Sequence, residues 1–192
     1  MINLIEINNL KKKFYLSNDQ ELLIFNNLNF SITKNSITSI VGPSGCGKST
    51  LLNILGLLDS KFEGKYIFEG KTINTFNNNQ LSTIRNKKVG FIHQFFHLIP
   101  ELSVLENVIL PGLINSNKIS EITEEACRLL DSFGIINKKN MKPNQLSGGE
   151  QQRVASVRAL INKPDLILAD EMTGNLDEDT SDDIINFFLK FI

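Results

Sequence analysis

The sequence is poor in cysteine, in net charge and in long apolar runs, and each shortage excludes a class of protein. Its 192 residues include two cysteines, Cys46 and Cys127, without the spacing of a metal site or a disulfide scaffold, which favours a reducing cytosolic setting. The formal net charge of −1 argues against coating nucleic acid through bulk basicity. No window approaches the ~18 apolar residues of a membrane span. Work at a membrane would therefore need other proteins to hold the chain there.

The pattern of the chain changes twice along its length. Residues 1 to about 92 carry short β-rich runs such as LIEI, ITSIV, KYIFEG and KVGFI. Residues 95 to about 145 are predicted to be mostly helical, with Ser103 as a cap and an apolar stripe at 122, 126, 129, 130 and 133. From residue 147 the pattern predicts helix, strand and an Asp-rich helix start at 177–183. The polar tract NTFNNNQ at 74–80 is predicted to be a surface loop.

The strongest chemical signal is the stretch SITSIVGPSGCGKST. A predicted strand, Ile37–Val41, runs into a loop that fits G-x-x-x-x-G-K-[ST], and a predicted helix follows. The glycines let backbone N–H groups approach phosphate oxygens, Lys48 reaches the outer phosphates and Ser49 suits Mg²⁺. The alternative is a structural glycine-rich turn, but such a turn would not need a lysine at the helix start. Cys46 inside the loop is interpreted as a small filler and not as a redox group.

A second signal is DLILADE, Asp165 to Glu171. Its four apolar residues predict a buried strand of a parallel sheet covered on both faces, with two acids at its carboxyl end. Asp170 suits a magnesium shell, and Glu171 suits orienting or activating an attacking water. Alone, such a pair more often marks a helix start or a solvated turn. Beside a phosphate loop, the functional interpretation is favoured.

A third signal is LSGGEQQR, Leu146 to Arg153. Two adjacent glycines behind a serine, at the start of a polar helix, suit a nest of N–H groups for an anion. The chain thus has a second candidate phosphate site, although its first one already looks complete.

Together these motifs resemble an ABC transporter ATPase domain. The phosphate loop, Gln94 after KVGFIH, LSGGE, DLILADE and TGNLD at 173–177 stand in that family's order and spacing. The stretches RNKKVGFIHQFFHLIP, LENVILP and ALINKPDLILADEMTGNLD are most similar to the lipoprotein-releasing branch; macrolide-exporter and cell-division ATPases share TGNLD. The resemblance implies an α/β P-loop NTPase fold with a mixed central sheet and an antiparallel β subdomain. It also implies one domain, 1–192, whose core is about 1–93 and 146–192 and whose helical subdomain is about 94–145.

The function implied is ATP binding and hydrolysis with Mg²⁺, which would power lipoprotein release from the inner toward the outer membrane. Partners would be a second ATPase subunit and two transmembrane subunits of the LolC/LolE kind, at the cytoplasmic face of the bacterial inner membrane, with no nucleic acid. The alternatives are the ATPase of a related exporter or cell-division complex, a soluble ABC ATPase, or a nucleotide-binding remnant with poor hydrolysis.

The family arrangement also assigns site residues. Two ATPase domains meet head to tail, so ATP held by one phosphate loop is covered by the LSGGE loop of the other. The implied catalytic residues are Glu171 and Gln94, and the implied metal ligands are Ser49, Gln94 and Asp170. The implied ATP contacts are Phe14, Gly42, Pro43, Ser44, Gly45, Cys46, Gly47, Lys48, Ser49, Thr50, Ser147, Gly148, Gly149 and Asp177.

Among these, Phe14 would stack on adenine, and Asp177 would act across the dimer seam. For Phe14 the alternative is core packing, since Tyr15 is adjacent and an aromatic beside an apolar strand is core about as often as ligand. His93 and His97 flank Gln94 but match no catalytic position, so they are interpreted as surface or packing residues.

Two departures from the family pattern stand out. Met172 occupies the position where the family usually has proline after the catalytic glutamate, and a trans proline would stiffen that turn. The family also expects a further strand, between Ile37–Val41 and Leu166–Ala169, that ends in a γ-phosphate-contacting histidine. Because the sequence stops at Ile192 before either feature, the resemblance predicts a truncated C-terminal end, weak ATP binding and slow hydrolysis.

Overall fold

The computed structural model describes residues 2–15, 17, 20–114, 118–172, 174, 181–182 and 185–186. It separates into two compact units, residues 1–83 and 84–192. Asp177, and with it the start of the predicted Asp-rich helix, lies outside the described residues.

The first unit is built on an antiparallel sheet with the strand order β2-β1-β3-β4. Its strands are β1 (Asn3–Tyr15), β2 (Glu21–Thr33), β3 (Glu63–Phe68) and β4 (Lys71–Thr72). The runs LIEI and KYIFEG are therefore strands, as predicted. Ile5 and Ile7 of β1 are fully or almost fully buried, which fits the alternation of a strand with one face on a core.

Helix α1 (Lys48–Leu55) follows the phosphate loop, as the sequence predicts. It buries Leu51, Leu52 and Ile54, and its last residue is tied to the sheet. The buried hydroxyl of Tyr66 in β3 donates a hydrogen bond of 2.8 Å to the Leu55 carbonyl. Burial raises the pKa of Tyr66, so this hydroxyl keeps its proton and stays a donor.

The predicted strand Ile37–Val41 is wrong for this structure. Residues 36–43 form no helix or strand, and Ile37 and Val41 are 68% and 88% exposed. A strand is stabilised by hydrogen bonds to a neighbour, and within the described part of the chain no strand pairs with this segment. Apolar, β-branched residues alone did not suffice to form it.

The prediction of a surface loop at 74–80 is also wrong in part. A 3₁₀ turn covers Ile73–Thr75, and helix α2 covers Asn78–Lys88. Asn77 precedes this helix and exchanges hydrogen bonds with Gln80: the Gln80 N–H donates to Asn77 Oδ1 at 3.0 Å, and the Asn77 N–H donates to Gln80 Oε1 at 2.9 Å. This reciprocal cap starts a helix inside a tract whose composition indicates a loop.

The second unit combines helices with a two-stranded parallel sheet. Its helices are α3 (Val104–Leu113), α4 (Ile119–Ser132) and α5 (Gly148–Leu160), and its strands are β5 (Val89–Ile92) and β6 (Leu166–Ala169). Short 3₁₀ turns lie at Ile136–Lys138 and Pro143–Gln145. The three helices pack on one another around a common apolar core.

This arrangement confirms the predicted helical zone. Ser103 caps α3, since its Oγ accepts a hydrogen bond of 3.2 Å from the Glu106 N–H. Four positions of the predicted stripe, Ala126, Leu129, Leu130 and Phe133, are at most 3% exposed.

Strand β6 forms where it was predicted. Leu166 and Leu168 are buried, whereas Ala169 is exposed. Within the described residues β6 pairs with β5 alone. Ile167, on the opposite face from Leu166 and Leu168, is partly buried and packs against the apolar core, so both faces of the strand have core contacts, as predicted.

None of the helices in the described residues is both long enough and apolar enough to cross a membrane.

Candidate functional site

The phosphate loop, Gly42–Ser49, lies on the surface of the first unit. Its backbone depends on glycine at two positions, because Gly45 has φ +79° and Gly47 has φ +99°. A Cβ atom on Gly47 would lie 2.6 Å from Ile24 Cγ2 and 2.9 Å from Phe25 Cζ, so the loop backbone presses against side chains of β2. A Cβ on Gly45 would meet nothing within 4 Å. Glycine is thus required at position 47 by both packing and the left-handed backbone, and at position 45 by the left-handed backbone alone.

Lys48 spans the loop to which it belongs. Its Nζ donates hydrogen bonds of 2.9 Å to the Gly42 carbonyl and 3.1 Å to the Pro43 carbonyl. The ammonium group therefore lies on the loop itself, where a phosphate cradled by the backbone would meet it. Cys46 turns back over the loop as well, since its Sγ lies 2.7 Å from the position that a Cβ on Gly42 would take.

The start of α1 is open to an anion. Gly47, the N-cap residue, offers no side-chain cap, and the first turn of the helix has no acidic residue. The N–H groups of a first helical turn have no acceptor inside the helix, and the aligned peptide dipoles give this end a partial positive charge. Backbone donors, positive potential and a lysine therefore converge at this end. These features fit a nucleotide's phosphates.

Phe14 lies near the end of β1 and is 40% exposed. Lys12 Nζ lies 4.6 Å from the centroid of its ring, and Phe14 pairs with Leu22 across the strands. Its neighbour Tyr15 is 66% exposed. Half-exposed aromatic faces suit stacking on a base, so the adenine contact of Phe14 stays a prediction.

In the second unit, Gln94 and the two acids emerge at one edge of the parallel sheet. Ile92 pairs with Ala169, and the Asp170 N–H donates a hydrogen bond of 2.9 Å to the Ile92 carbonyl. The segments that follow the two strands stay together. A Cβ on Gly174 would lie 3.5 Å from Gln94 Nε2 and 3.6 Å from Glu171 Cβ, so the structure brings these predicted residues to one place.

Glu171 is exposed and has a left-handed backbone with φ 47°. For a residue other than glycine this conformation costs about 1 to 2 kcal/mol. A proline at the next position would push the glutamate toward extended backbone, so Met172 is compatible with the observed turn where the usual proline is not. Met172 also packs against the apolar core of the unit, and this contact helps to hold the turn in place.

The loop after Gln94 is held by an arginine that the sequence analysis missed. Phe96 and His97 both have left-handed backbones, with φ 37° and 50°. Arg158, in the last turn of α5, donates 2.7 Å and 2.6 Å hydrogen bonds to their two carbonyls. Burial lowers the pKa of Arg158 from its usual value, while the two carbonyl acceptors favour its charged form.

The histidines on either side of Gln94 pack against their neighbours. His93 stacks on Phe91 at 4.3 Å between ring centroids and meets the edge of His97 at 4.6 Å. Partial burial, with His97 and Arg158 nearby, lowers the pKa of His93, so its ring is neutral at pH 7. These contacts support the packing interpretation of both residues.

Asn107 is a second residue that the sequence analysis missed. It is fully buried in α3, and its side chain holds the end of the same loop. Oδ1 accepts from the Ile99 N–H at 2.8 Å, and Nδ2 donates to the carbonyls of Ile99, Leu102 and Ser103 at 3.0 to 3.2 Å. Asparagine is a poor helix former, so its place inside the apolar run VLENVIL was the one available signal.

The signature loop, LSGGE at residues 146–150, forms the start of α5. Ser147 is the N-cap: its Oγ accepts a hydrogen bond of 3.3 Å from the Glu150 N–H, and Glu150 Oε2 accepts one of 2.9 Å from the Ser147 N–H. Ser147 and Gly148 are exposed. The Ser147 side chain also interacts with the Glu150 carboxylate, and this interaction helps to lower the pKa of that carboxylate.

Glu150 is held from a second side by Lys138, whose Nζ forms an ion pair with Glu150 Oε1. This pair and the bond from the Ser147 N–H keep the pKa of Glu150 below its ordinary value. The first turn of α5 therefore contains an ionised carboxylate, that of Glu150, with Lys138 beside it.

The two units thus carry separate groups of predicted residues. The first carries the phosphate loop and Phe14; the second carries Gln94, Asp170, Glu171 and the signature loop. A comparison with family models matches residues 25–174 to the ABC transporter model, a range that includes nearly all of these motifs. This match decides the family. The chain belongs to the ABC transporter family.

Curated relatives in this family are similar over most of their length. The lipoprotein-releasing system ATP-binding protein LolD of Aquifex aeolicus (strain VF5) is 50% identical over 167 residues, which are 87% of this chain and 75% of the relative. LolD of Wigglesworthia glossinidia brevipalpis is 47% identical over 88% of this chain and 74% of the relative. LolD of Zymomonas mobilis subsp. mobilis (strain ATCC 10988) is 42% identical over 99% and 82%.

Solved ABC transporter structures share the fold. The dimeric structure of MJ0796, a bacterial ABC transporter cassette, superposes with a TM-score of 0.88 at 40% identity, over 97% of this chain and 82% of that one. A dimeric post-hydrolysis state of the MJ0796 cassette bound to ADP and Pi gives the same TM-score at 39% identity and the same coverage. The predicted α/β fold of an ABC-type ATPase is confirmed.

Proposed function

We propose that this chain is the ATP-binding and ATP-hydrolysing subunit of a lipoprotein-releasing ABC transporter. Its family hydrolyses ATP in general. Three relatives named as ATP-binding proteins of the lipoprotein-releasing system are 42% to 50% identical to it. In this proposal it works as a homodimer at the cytoplasmic face of the bacterial inner membrane, bound to two transmembrane subunits of the LolC/LolE kind.

The observation that carries the ATPase proposal is the pair of helix starts suited to phosphate. The start of α1 has glycines, a lysine and no side-chain cap, whereas the start of α5 presents a serine hydroxyl and two glycines. Two such ends fit one nucleotide if they come from different protomers. The solved relatives with TM-scores of 0.88 are dimers, and one of them holds ADP and Pi.

We assign the ATP contacts accordingly. Backbone N–H groups of residues 42–50, except Pro43, which has none, and the Lys48 ammonium bind the phosphates of an ATP whose adenine stacks on Phe14. Ser147, Gly148 and Gly149 bind the γ-phosphate of the ATP held by the second protomer, and Asp177 acts at that seam. We also propose that residues 1–192 form one domain, with a core of about 1–93 and 146–192 and a helical subdomain of about 94–145.

The residues assigned to the metal fit Mg²⁺ chemically. Ser49, Gln94 and Asp170 offer hydroxyl, amide and carboxylate oxygens, the hard ligands that this ion prefers. Mg²⁺, when bound, supplies positive charge that offsets the charge developing on the phosphate oxygens.

In the hydrolytic step, Glu171 orients a water molecule toward the γ-phosphorus and accepts one of its protons. A bond forms between the water oxygen and phosphorus, and the bond from phosphorus to the bridging oxygen breaks, with ADP as the leaving group. Gln94 lies beside Glu171 and contributes its amide to the same place. Atoms balance as ATP and water giving ADP, phosphate and a proton.

The second unit also has an apolar surface suited to a membrane partner. Phe95 and Ile99, in the loop after Gln94, are 69% and 37% exposed. We propose that this loop contacts the transmembrane subunits. Because the loop follows Gln94, binding of those subunits would then act directly on a residue assigned to the nucleotide site. Replacing both residues by glutamate should reduce stimulation of the ATPase by those subunits more than basal ATP binding. Full stimulation after both changes would place the docking surface elsewhere.

The transport function has a direct test. The chain is expressed with the membrane proteins encoded beside its gene and reconstituted in vesicles that hold a fluorescent triacylated lipoprotein. ATP should release the lipoprotein to a soluble carrier, and Glu171→Gln should stop the release while ATP still binds. Release of a macrolide in place of the lipoprotein, or neighbouring genes without four-span membrane proteins, would contradict the proposal.

A further inference from the structure

The signature loop has an electrostatic conflict at its centre. The start of a helix favours anions, and here it is assigned to a γ-phosphate, yet the same first turn already holds the Glu150 carboxylate. Glu150 Oε2 lies 2.9 Å from the Ser147 N–H, directly beside the hydroxyl and glycines that would meet the phosphate. An unbalanced carboxylate beside these groups would repel the phosphate.

The structure also contains the group that balances this charge. Lys138, at the end of the 3₁₀ turn Ile136–Lys138, places its Nζ on Glu150 Oε1, while the other oxygen of the same carboxylate remains in the cap. The side chains of Lys138 and Glu150 are 30% and 24% exposed, so solvent screens the pair only in part. One carboxylate thus connects the cap to a lysine from another element.

We propose that Lys138 is a positioning residue for the signature loop: it offsets the charge of Glu150 so that the start of α5 can accept the γ-phosphate of a nucleotide bound to a second protomer. Lys138 itself need not touch the nucleotide. The proposal rests on the proposed function, in which the signature loop acts across a dimer.

The proposal has a directional consequence that an ordinary stabilising ion pair lacks. Loss of Lys138 leaves a carboxylate facing the phosphate, whereas loss of the Glu150 charge removes the conflict. Glutamine at position 150 keeps the hydrogen-bonding pattern of a capping box, so Glu150→Gln changes charge with little change in shape. The two single substitutions should therefore have opposite or unequal effects, although they break the same pair.

The experiment measures ATP-dependent dimerisation of the full chain by sedimentation velocity, with Glu171→Gln as the background that holds ATP unhydrolysed. Lys138→Met should weaken dimerisation about threefold to tenfold. Glu150→Gln should dimerise at least as well as the background, and Lys138→Met with Glu150→Gln should return to that level. Lys138→Arg, which keeps the charge, should also behave like the background.

Lys118→Met is the matched control. Lys118 pairs with Glu121 in the first turn of α4, at 2.9 Å, so this ion pair also joins a lysine to a first-turn glutamate, on a helix that is not assigned to a phosphate. This change should leave dimerisation unaffected. Melting curves recorded for each variant separate a loss of pairing from a loss of folding.

Equal weakening by Lys138→Met and Glu150→Gln, without recovery in the double variant, would overturn the proposal and leave an ordinary structural ion pair. Unchanged dimerisation of Lys138→Met would overturn it as well. The underlying function fails separately: if Ser147→Arg also dimerises normally with ATP, the signature loop does not act across a dimer at all.

Discussion

The starts of helices α1 and α5 answer the same chemical demand in different ways. Helix α1 begins at a left-handed glycine without a side-chain cap, so its first N–H groups are free to serve a ligand. Helix α5 begins at a serine whose hydroxyl and Glu150 form a capping box. The start of α1 has no side-chain cap, whereas the start of α5 is capped within the protein.

The difference teaches how a divided site can work. An uncapped end next to glycines suits contacts to several phosphates, and we propose that nucleotide binds there first. A capped end keeps its shape in isolation and presents a serine side chain and the backbone of two glycines. Such an end suits recognition of a single phosphate already held by another chain.

The substitution Ser147→Arg, in the Glu171→Gln background, is the strongest test of this difference between the starts of α1 and α5. A bulky cation at the cap should collide with the ATP held in the partner's site and abolish ATP-dependent dimerisation, while nucleotide binding to the single chain stays nearly intact. Sedimentation with and without ATP measures the first quantity, and titration with a fluorescent nucleotide measures the second. Equal dimerisation of the two forms would remove the role of the signature loop across the dimer.

The next largest effect is expected from Lys48→Ala. It removes the ammonium that lies on the phosphate loop, and hydrogen bonds to charged groups contribute about 1.5 to 3 kcal/mol each. ATP affinity should fall about tenfold to a hundredfold in a fluorescent-nucleotide titration. Lys61→Ala, outside the loop, serves as the control. Unchanged ATP affinity would contradict the assignment of this loop to phosphate.

The two left-handed glycines sharpen the comparison further. Gly47→Ala adds a Cβ 2.6 Å from Ile24 Cγ2, whereas at Gly45 the added atom meets nothing within 4 Å. Gly45→Ala should cost only the backbone strain, about 1 to 2 kcal/mol, and Gly47→Ala should cost more and weaken ATP binding further. Melting curves and nucleotide titrations of both variants check this order. The reverse order would mean that packing against β2 does not set the loop.

A smaller effect is expected at the other end of α5. Arg158→Lys keeps a cation but cannot place two fixed donors on the carbonyls of Phe96 and His97. We expect a loss of about 1 kcal/mol in the free energy of unfolding, measured with urea, and a lower ATPase rate at saturating ATP with little change in KM. A lysine variant with unchanged stability and rate would show that the loop after Gln94 keeps its conformation without the two hydrogen bonds from Arg158.

Much of the fold was predictable because its signals are local in sequence. The stripe at Ala126, Leu129 and Leu130 predicts α4, and Ser103 predicts the start of α3, since caps and helical spacing depend on neighbouring residues. The Ile37–Val41 strand failed for the opposite reason. A strand requires a partner elsewhere in the chain, and composition does not supply one.

The same distinction holds for the site. Glycine spacing and a following lysine predict the phosphate loop because that chemistry is contiguous. Arg158, Asn107 and Lys138 act on residues far from them in sequence or on a neighbouring element, and no motif marks them. Their roles depend on tertiary contacts, which a linear pattern does not contain.

The central claim is that one ATP is held between the phosphate loop of one protomer and the signature loop of another. The most direct measurement mixes two inactive variants, Lys48→Ala and Ser147→Arg, both with Glu171→Gln and each with a different fluorescent label. Neither should dimerise alone with ATP. In a mixed dimer, the Ser147→Arg protomer supplies an intact phosphate loop and the Lys48→Ala protomer supplies an intact signature loop. The introduced arginine then faces a phosphate loop that Lys48→Ala leaves without ATP, so ATP should produce mixed dimers detected by energy transfer. If each variant remains monomeric and the mixture gives no ATP-dependent energy transfer, the two loops do not form a shared site, and the account is wrong.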